Sequence, residues 1–192
     1  MDLWLVILNA YNITIMKRCI LLLITLAAGK LAMTQYKPAE NGSSVQFTIR
    51  NFGISTGGSF RGLQGDIIFD INDLAKASLS VSIDANTVNT GNDTRDNHLR
   101  QDSYFDVKNY PRISFVSTKV STSDKTGVLL IFGKLTIKNQ TKDISFPFTA
   151  TPNGNGYLFK GTFNINRKDF GVGGTSTISN NLEVQLAVLS TK

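Results

Sequence analysis

The sequence predicts an all-β domain, about eight antiparallel strands around one apolar interior with one short helix or lid. Three observations carry that expectation. From residue 45 onward, apolar and polar residues alternate with period two in almost every segment, the pattern of a strand with one dry and one wet face. Clusters of Gly, Asn, Asp, Ser and Thr separate those segments, as turns require. Phe (12) and Gly (16) are abundant while charged residues make up only 18% of the chain, which suits half-buried sheets better than coiled coils or disorder.

The elements follow in order. Segment 45–52 alternates Val45, Phe47 and Ile49 with Gln46, Thr48 and Arg50. Segment 59–71 contains Gly62 and Gly65, where a bend or bulge is expected. In 77–85, Ala77, Leu79, Val81, Ile83 and Ala85 alternate with Ser78, Ser80, Ser82 and Asp84. Segment 92–102, NDTRDNHLRQD, breaks the alternation and reads as the short helix or lid. The connection from about 89 to 111 that contains it is long for a compact domain, and such connections are often functional. Strands over 112–120 and 127–138 are joined by the turn residues 123–127. A tight turn at 138–141 follows, with Asn139 suited to a left-handed conformation. In 143–149, Ile144, Phe146 and Phe148 share a face, and Pro147 belongs at an edge or bulge. Residues 152–156 form a hairpin loop. The last strands are 157–166, with Tyr157, Phe159, Phe163 and Ile165 on one face, and 182–188, with Leu182, Val184, Leu186 and Val188.

Strands with one dry face must hide it. A closed barrel does so and leaves no edge, and at eight strands its interior is either filled or holds one small ligand. A two-sheet sandwich would satisfy the same alternation.

The N-terminus reads differently. Lys17 and Arg18 precede an eleven-residue apolar run, Cys19 to Gly29, and small residues follow. The run is too short to span a bilayer as a helix; the order of basic pair, apolar run and small residues is that of a secretory signal peptide. Met16 is the expected start, residues 1–34 the extension plus leader, and 35–192 the exported domain, with cleavage after Thr34 or Gly29. Cys19 begins the apolar run instead of ending it, which argues against a lipoprotein anchor. The expected location is the periplasm or outside the cell.

The chain's one Cys and one His exclude a self-contained Cys/His zinc site and an intrachain disulfide, and nothing suggests a cofactor. The +6 charge is dispersed, without the basic cluster that tracks nucleic-acid phosphates. There is no G-x-S-x-G elbow and no phosphate loop. Arg167, in INRKDFGVGG, is expected to pair with Asp169 or an acid near the lid, at the surface. His98 stands in RDNHLR beside Arg95, Asp96 and Arg100. It is expected to join them in a knot tying the lid to the barrel, with a polar gate at the barrel mouth as the functional alternative.

Four stretches, in order, resemble the YceI-like family of exported, lipocalin-like, polyisoprenoid-binding proteins. They are FTIRNFGISTGGSFRGLQGDIIFD (47–70), SIDANTVNTGNDTRDNHLRQDSYFDVKNYPRISFVST (82–118), GKLTIKNQTKDISFPF (133–148) and FNINRKDFGVGG (163–174). The resemblance runs from Val45 to the C-terminus. Asn139 stands where the family commonly has Gly, and Asn180-Asn181 near a usual Asp, both in turns. The resemblance implies an extended eight-stranded antiparallel barrel with a short helix, enclosing a long apolar tunnel. The implied ligand is a long-chain amphiphile: an isoprenoid quinone, a polyprenyl compound or a fatty-acid amide. A homodimer is also implied as possible.

On that reading the tunnel-lining candidates are Phe47, Ile49, Leu79, Val81, Ile83, Phe115, Ile131, Phe146, Phe148, Phe159 and Phe163. The mouth and lid candidates are Arg95, His98, Leu99, Tyr104 and Phe105. The expected function is non-enzymatic binding, transport or sequestration. The enzymatic alternative is a hydrolase acting on such a lipid through His98 and a nearby Asp.

Overall fold

The computed structural model describes residues 34–173 and 178–192. Apart from Thr34, the expected leader lies outside the described residues. Eight antiparallel strands form a closed barrel in which every strand pairs with its neighbours in sequence. They are β1 (Gln35–Asn51), β2 (Ile54–Ile68), β3 (Ser78–Asn89), β4 (Arg112–Thr122), β5 (Leu129–Ile137), β6 (Gln140–Asn153), β7 (Gly156–Asn166) and β8 (Ile178–Thr191). Closure is made by β8 returning to β1, from Lys37 opposite Thr191 to Asn51 opposite Ile178. That pairing decides between barrel and sandwich.

β1 starts ten residues earlier than the alternation suggests. Over 39–44 its register slips against β8, with Gly42 at φ 89°, so the period-two signal is lost there although pairing continues. The bend expected in β2 is present as two register shifts against β3, between Ser59 and Arg61 and between Arg61 and Gln64. In the β5–β6 turn it is Lys138, not Asn139, that takes the left-handed conformation (φ 55°). Its ammonium reaches across to the carbonyls of Asp102 (2.8 Å) and Gly171 (3.4 Å), which ties this turn to two other loops. Pro147 lies in a closed sheet rather than at an edge. It sits just past the last β6–β7 pair, Phe148 opposite Gly161, where β7 no longer needs its missing N–H.

The β1–β2 hairpin turns on Phe52 (φ 51°) and Gly53 (φ 81°). Two left-handed residues match the twist of a two-residue hairpin. A bulky residue in that conformation costs about 1–2 kcal/mol.

One end of the barrel is filled. Tyr36, Phe69, Leu79, Ile131, Phe148 and Phe159 belong to one buried cluster near the start of β1, the end of β8 and the 69–77, 123–128 and 153–156 connections. Phe69 is 1% exposed, and the rings of Tyr157 (5.0 Å) and Phe159 (5.1 Å) meet it edge-on, the favourable aromatic arrangement. A second buried cluster, including Val45, Ile83, Ile113, Leu135 and Phe170, surrounds the interior at the opposite end. There the 90–111 connection crosses the barrel.

Candidate functional site

The crossing segment contains α1 (Asp93–Leu99), whose N-cap Asn92 accepts from the Arg95 N–H at 2.9 Å. Its anchor is Asp96, only 4% exposed. One oxygen of that carboxylate accepts from the Thr90 N–H (2.9 Å) and hydroxyl (2.5 Å). Arg95 completes the knot, donating Nε to the Thr90 hydroxyl oxygen (2.7 Å) and Nη2 to the Thr90 carbonyl (2.9 Å). Arg100 fastens the far end of the helix to β3 through the carbonyls of Asn86 and Val88. The expected knot is therefore made by Arg95, Asp96 and Arg100. His98 is not part of it: the imidazole is exposed, and its contact is the Tyr104 ring at 4.7 Å. The Asp nearest to it in sequence, Asp96, holds Thr90 with its carboxylate.

Between the lid and the filled end lies a cavity of about 250 Å³. Seven of the wall candidates line it: Phe47, Ile49, Val81, Ile83, Phe115, Phe146 and Phe163. The other four, Leu79, Ile131, Phe148 and Phe159, are in the filled end. Of the lid candidates, Arg95, Leu99, Tyr104 and Phe105 line the cavity and His98 does not. Leu182, Val184 and Leu186 also line it; the alternation of 182–188 was the signal that could have nominated them. Phe60, Leu63 and Ile165 complete much of the remaining apolar wall.

The Phe rings leave the centre open because several lie over glycines. A methyl group on Gly58 would stand 2.3 Å from the Phe47 ring, on Gly133 2.4 Å from Phe115, and on Gly161 3.1 Å from Phe146. Gly58 is directly opposite Phe47 across β1 and β2, so the ring occupies space a side chain would take. Gly58→Ala is expected to push the Phe47 ring into the lumen. Affinity for any apolar chain held in the chamber should fall about tenfold, ~1.4 kcal/mol, with little change in the melting midpoint, since a ring tip moves more easily than backbone. Titration beside a thermal melt checks this; unchanged affinity would mean the ring finds room elsewhere.

The cavity is polar only in part. Asn51, Thr56, Thr90, Arg95 and Arg167 line it at the lid end of their strands or in the connections there, and Gln46, Ser82 and Ser114 line it along the strands. Arg167 departs from expectation, being 5% exposed rather than at the surface. Its guanidinium donates to the carbonyls of Val172 (2.8 Å), Ser179 (3.0 Å) and Ile178 (3.2 Å), bridging the start of β8 to the turn after β7. Nothing in the neighbouring residues Asn166, Lys168 and Asp169 announces that burial. Groups of His, Cys, Asp and Glu able to hold a metal are absent among the described residues.

The arrangement is thus an apolar chamber, filled at one end, with hydrogen-bonding groups and a strapped lid at the other. Comparison with known proteins agrees with this architecture. BcnA of Burkholderia cenocepacia has the same fold, with a TM-score of 0.75 at 24% identity over 81% of this chain and 99% of that one. So does a polyisoprenoid-binding domain from Saccharophagus degradans, with a TM-score of 0.66 at 15% identity over 81% of this chain and 97% of that one. A UPF0312 protein of Pseudomonas putida is 31% identical over 179 residues, 87% of this chain and 91% of the relative. The model of the YceI-like domain matches residues 36–189, the whole barrel but for its first and last residues, and the chain belongs to that family.

Proposed function

We propose that the barrel takes up one long-chain amphiphile, tail first, and carries or sequesters it unchanged. The observation that carries this reading is the cavity: largely apolar walls drawn from every strand, with Asn51, Thr56, Thr90, Arg95 and Arg167 at the lid end. The Saccharophagus degradans neighbour, a polyisoprenoid-binding domain, supports the same ligand class. An isoprenoid quinone, a polyprenyl compound and a fatty-acid amide each pair an apolar chain with a polar head, as the chamber requires. The basic pair and apolar run near the N-terminus support action after export, in the periplasm or outside the cell.

The volume sets a scale. An apolar cavity of about 150 Å³ takes up benzene, so 250 Å³ corresponds to roughly ten carbons on the same measure. At about 0.8 kcal/mol per buried CH₂, that gives a gross gain of about 8 kcal/mol, against an association cost of at least 4 kcal/mol. The chamber therefore favours a short acyl or prenyl segment, and a longer tail must extend through the mouth or displace aromatic rings at the filled end. Native mass spectrometry of protein from its host is expected to reveal an adduct of several hundred daltons. Titration with C8 to C16 amides is expected to peak near C10. Empty protein in every preparation, with no binding in the titration, would defeat the proposal.

Exchange should be governed by the lid. Leu99 is half-buried and reaches the cavity. Leu99→Ala should cost about 1–2 kcal/mol, less than a fully buried leucine, and accelerate release of a fluorescent fatty probe severalfold. Stopped-flow displacement measures this, and an unchanged rate would place the entrance elsewhere.

A further inference from the structure

Phe52 and Ile54 are the most exposed of the large apolar side chains among the described residues, at 77% and 71%. They flank Gly53 at the tip of the β1–β2 hairpin: Phe52 lies beyond the last pair, and Ile54 belongs to it, opposite Asn51. Neither lines the cavity, and Phe52 occupies a left-handed position that Asn, Asp or Gly would fill without strain. Folding and ligand packing therefore leave this aromatic unexplained. Its place is informative. Ile49 and Asn51 on one side of the tip and Thr56 on the other line the cavity, as does Ile178, paired with Asn51. Pairing of β2 with β3 begins only at Ser59 opposite Asn89, so residues 54–58 run past β3 at the cavity's polar end.

The charge around the tip has one sign along the hairpin. No Asp or Glu occurs between Glu40 and Asp66, and Arg50, exposed, stands two residues before Phe52. Across the sheet, Glu183 faces Thr48, back from the tip. Exposed apolar side chains backed by a cation match the interface of an anionic bilayer, where apolar groups enter the acyl boundary and Lys or Arg meets phosphate. A protein partner fits less well, because stable protein interfaces bury about 1,200–2,000 Å², far beyond two side chains at a hairpin tip.

We propose that this hairpin tip docks the barrel on an anionic lipid surface. Phe52 and Ile54 seat below the headgroups, Arg50 lies against phosphate, and the cavity mouth is held at the surface. The purpose of this contact rests on the amphiphile reading above: a tail passes between bilayer and chamber without crossing water. The contact itself does not.

The test is a double variant, Phe52→Asn with Ile54→Ser, which places Asn-Gly at the turn, the pair this geometry favours. Wild type and variant are compared as full-length chains, so that any contribution of the apolar run 19–29 is common to both. Co-sedimentation uses vesicles of phosphatidylethanolamine and phosphatidylglycerol, with pure phosphatidylcholine as the uncharged arm. The wild type is expected on the anionic vesicles, and the double variant should partition at least tenfold less, with an equal or higher melting midpoint. Arg50→Gln should weaken binding to the anionic vesicles alone. Decanamide affinity in solution should be the same for wild type and double variant, while uptake of a fluorescent amide from vesicles slows in the latter. Equal vesicle partitioning of wild type and double variant overturns the proposal, as does a wild type indifferent to vesicles. A dimeric wild type beside a monomeric double variant in sedimentation velocity also overturns it, assigning the tip to a second copy. Loss of decanamide binding in both proteins would defeat the cavity reading alone, and the vesicle result would still decide the docking contact.

Discussion

Phe146→Ala is expected to lower stability by about 3–5 kcal/mol and to lengthen the chain the barrel prefers. Phe146 is 6% exposed and stacks on Phe163 with centroids 4.4 Å apart and planes at 20°. Phe115 approaches it at 5.9 Å. It belongs both to the filled end and to the cavity wall, so it forms the floor between them. Removing the ring subtracts its packing and joins its volume to the chamber. For a domain of this size the loss amounts to about 10 °C or more in melting midpoint. The C8 to C16 amide series should then peak some carbons beyond its wild-type position. Phe69→Ala, deeper in the filled end, is the comparison: a similar loss of stability with the chain-length optimum unmoved. If both variants leave the optimum in place, Phe146 is ordinary core and the chamber's depth is set by other residues.

Asp96→Ala should release the lid while leaving the barrel folded. Two donors, the Thr90 N–H and hydroxyl, lose a charged acceptor. Hydrogen bonds to charged groups contribute about 1.5–3 kcal/mol each, so the closed lid is destabilised by about 3 kcal/mol. That is roughly a hundredfold in the open-to-closed ratio. Hydrogen exchange is expected to accelerate over 90–107, while β4 to β6 keep their protection, because the filled end is untouched and opening is local. Probe release should speed up in parallel. Asp96→Asn, which keeps an acceptor oxygen but no charge, should fall between. Unaltered exchange over 90–107 would mean that Arg100 and the Lys138 contacts hold the segment without Asp96.

The strand faces were legible in the sequence because alternation reports facing directly, and every wall candidate named from it lies inside the barrel. Depth was not legible. Leu79 and Val81 are two residues apart on the same face of β3, yet Leu79 is in the filled end and Val81 lines the cavity. Phe148 and Phe146, likewise two residues apart, both belong to the filled end, but only Phe146 also lines the cavity. Position along the axis depends on where bulges shift the register and where loops close the ends, and these are properties of the whole sheet. The lid was legible as an interruption. Arg95 and Leu99 were named from it and line the cavity, while His98, named with them, does not: a helix of seven residues with one aliphatic side chain carries too little periodicity to place each side chain. His98 drew attention by being the only histidine; Asp96, two residues earlier, carries the attachment. Arg167 illustrates a further limit. Its burial is explained by carbonyls of the β7–β8 region, and a carbonyl leaves no trace in residue identity.

If the barrel carries an amphiphile as proposed, its filled end has a consequence for traffic. A vessel with one opening loads and unloads through the same door, so a tail-first guest always leaves head-first. Whatever receives the cargo meets the polar group before the chain, and meets it in the orientation in which it was collected. Such a carrier cannot impose a direction by its own shape. On the carrier reading, net flow would follow from a difference between the donor and acceptor surfaces, and the protein's share would be to shield the tail in transit.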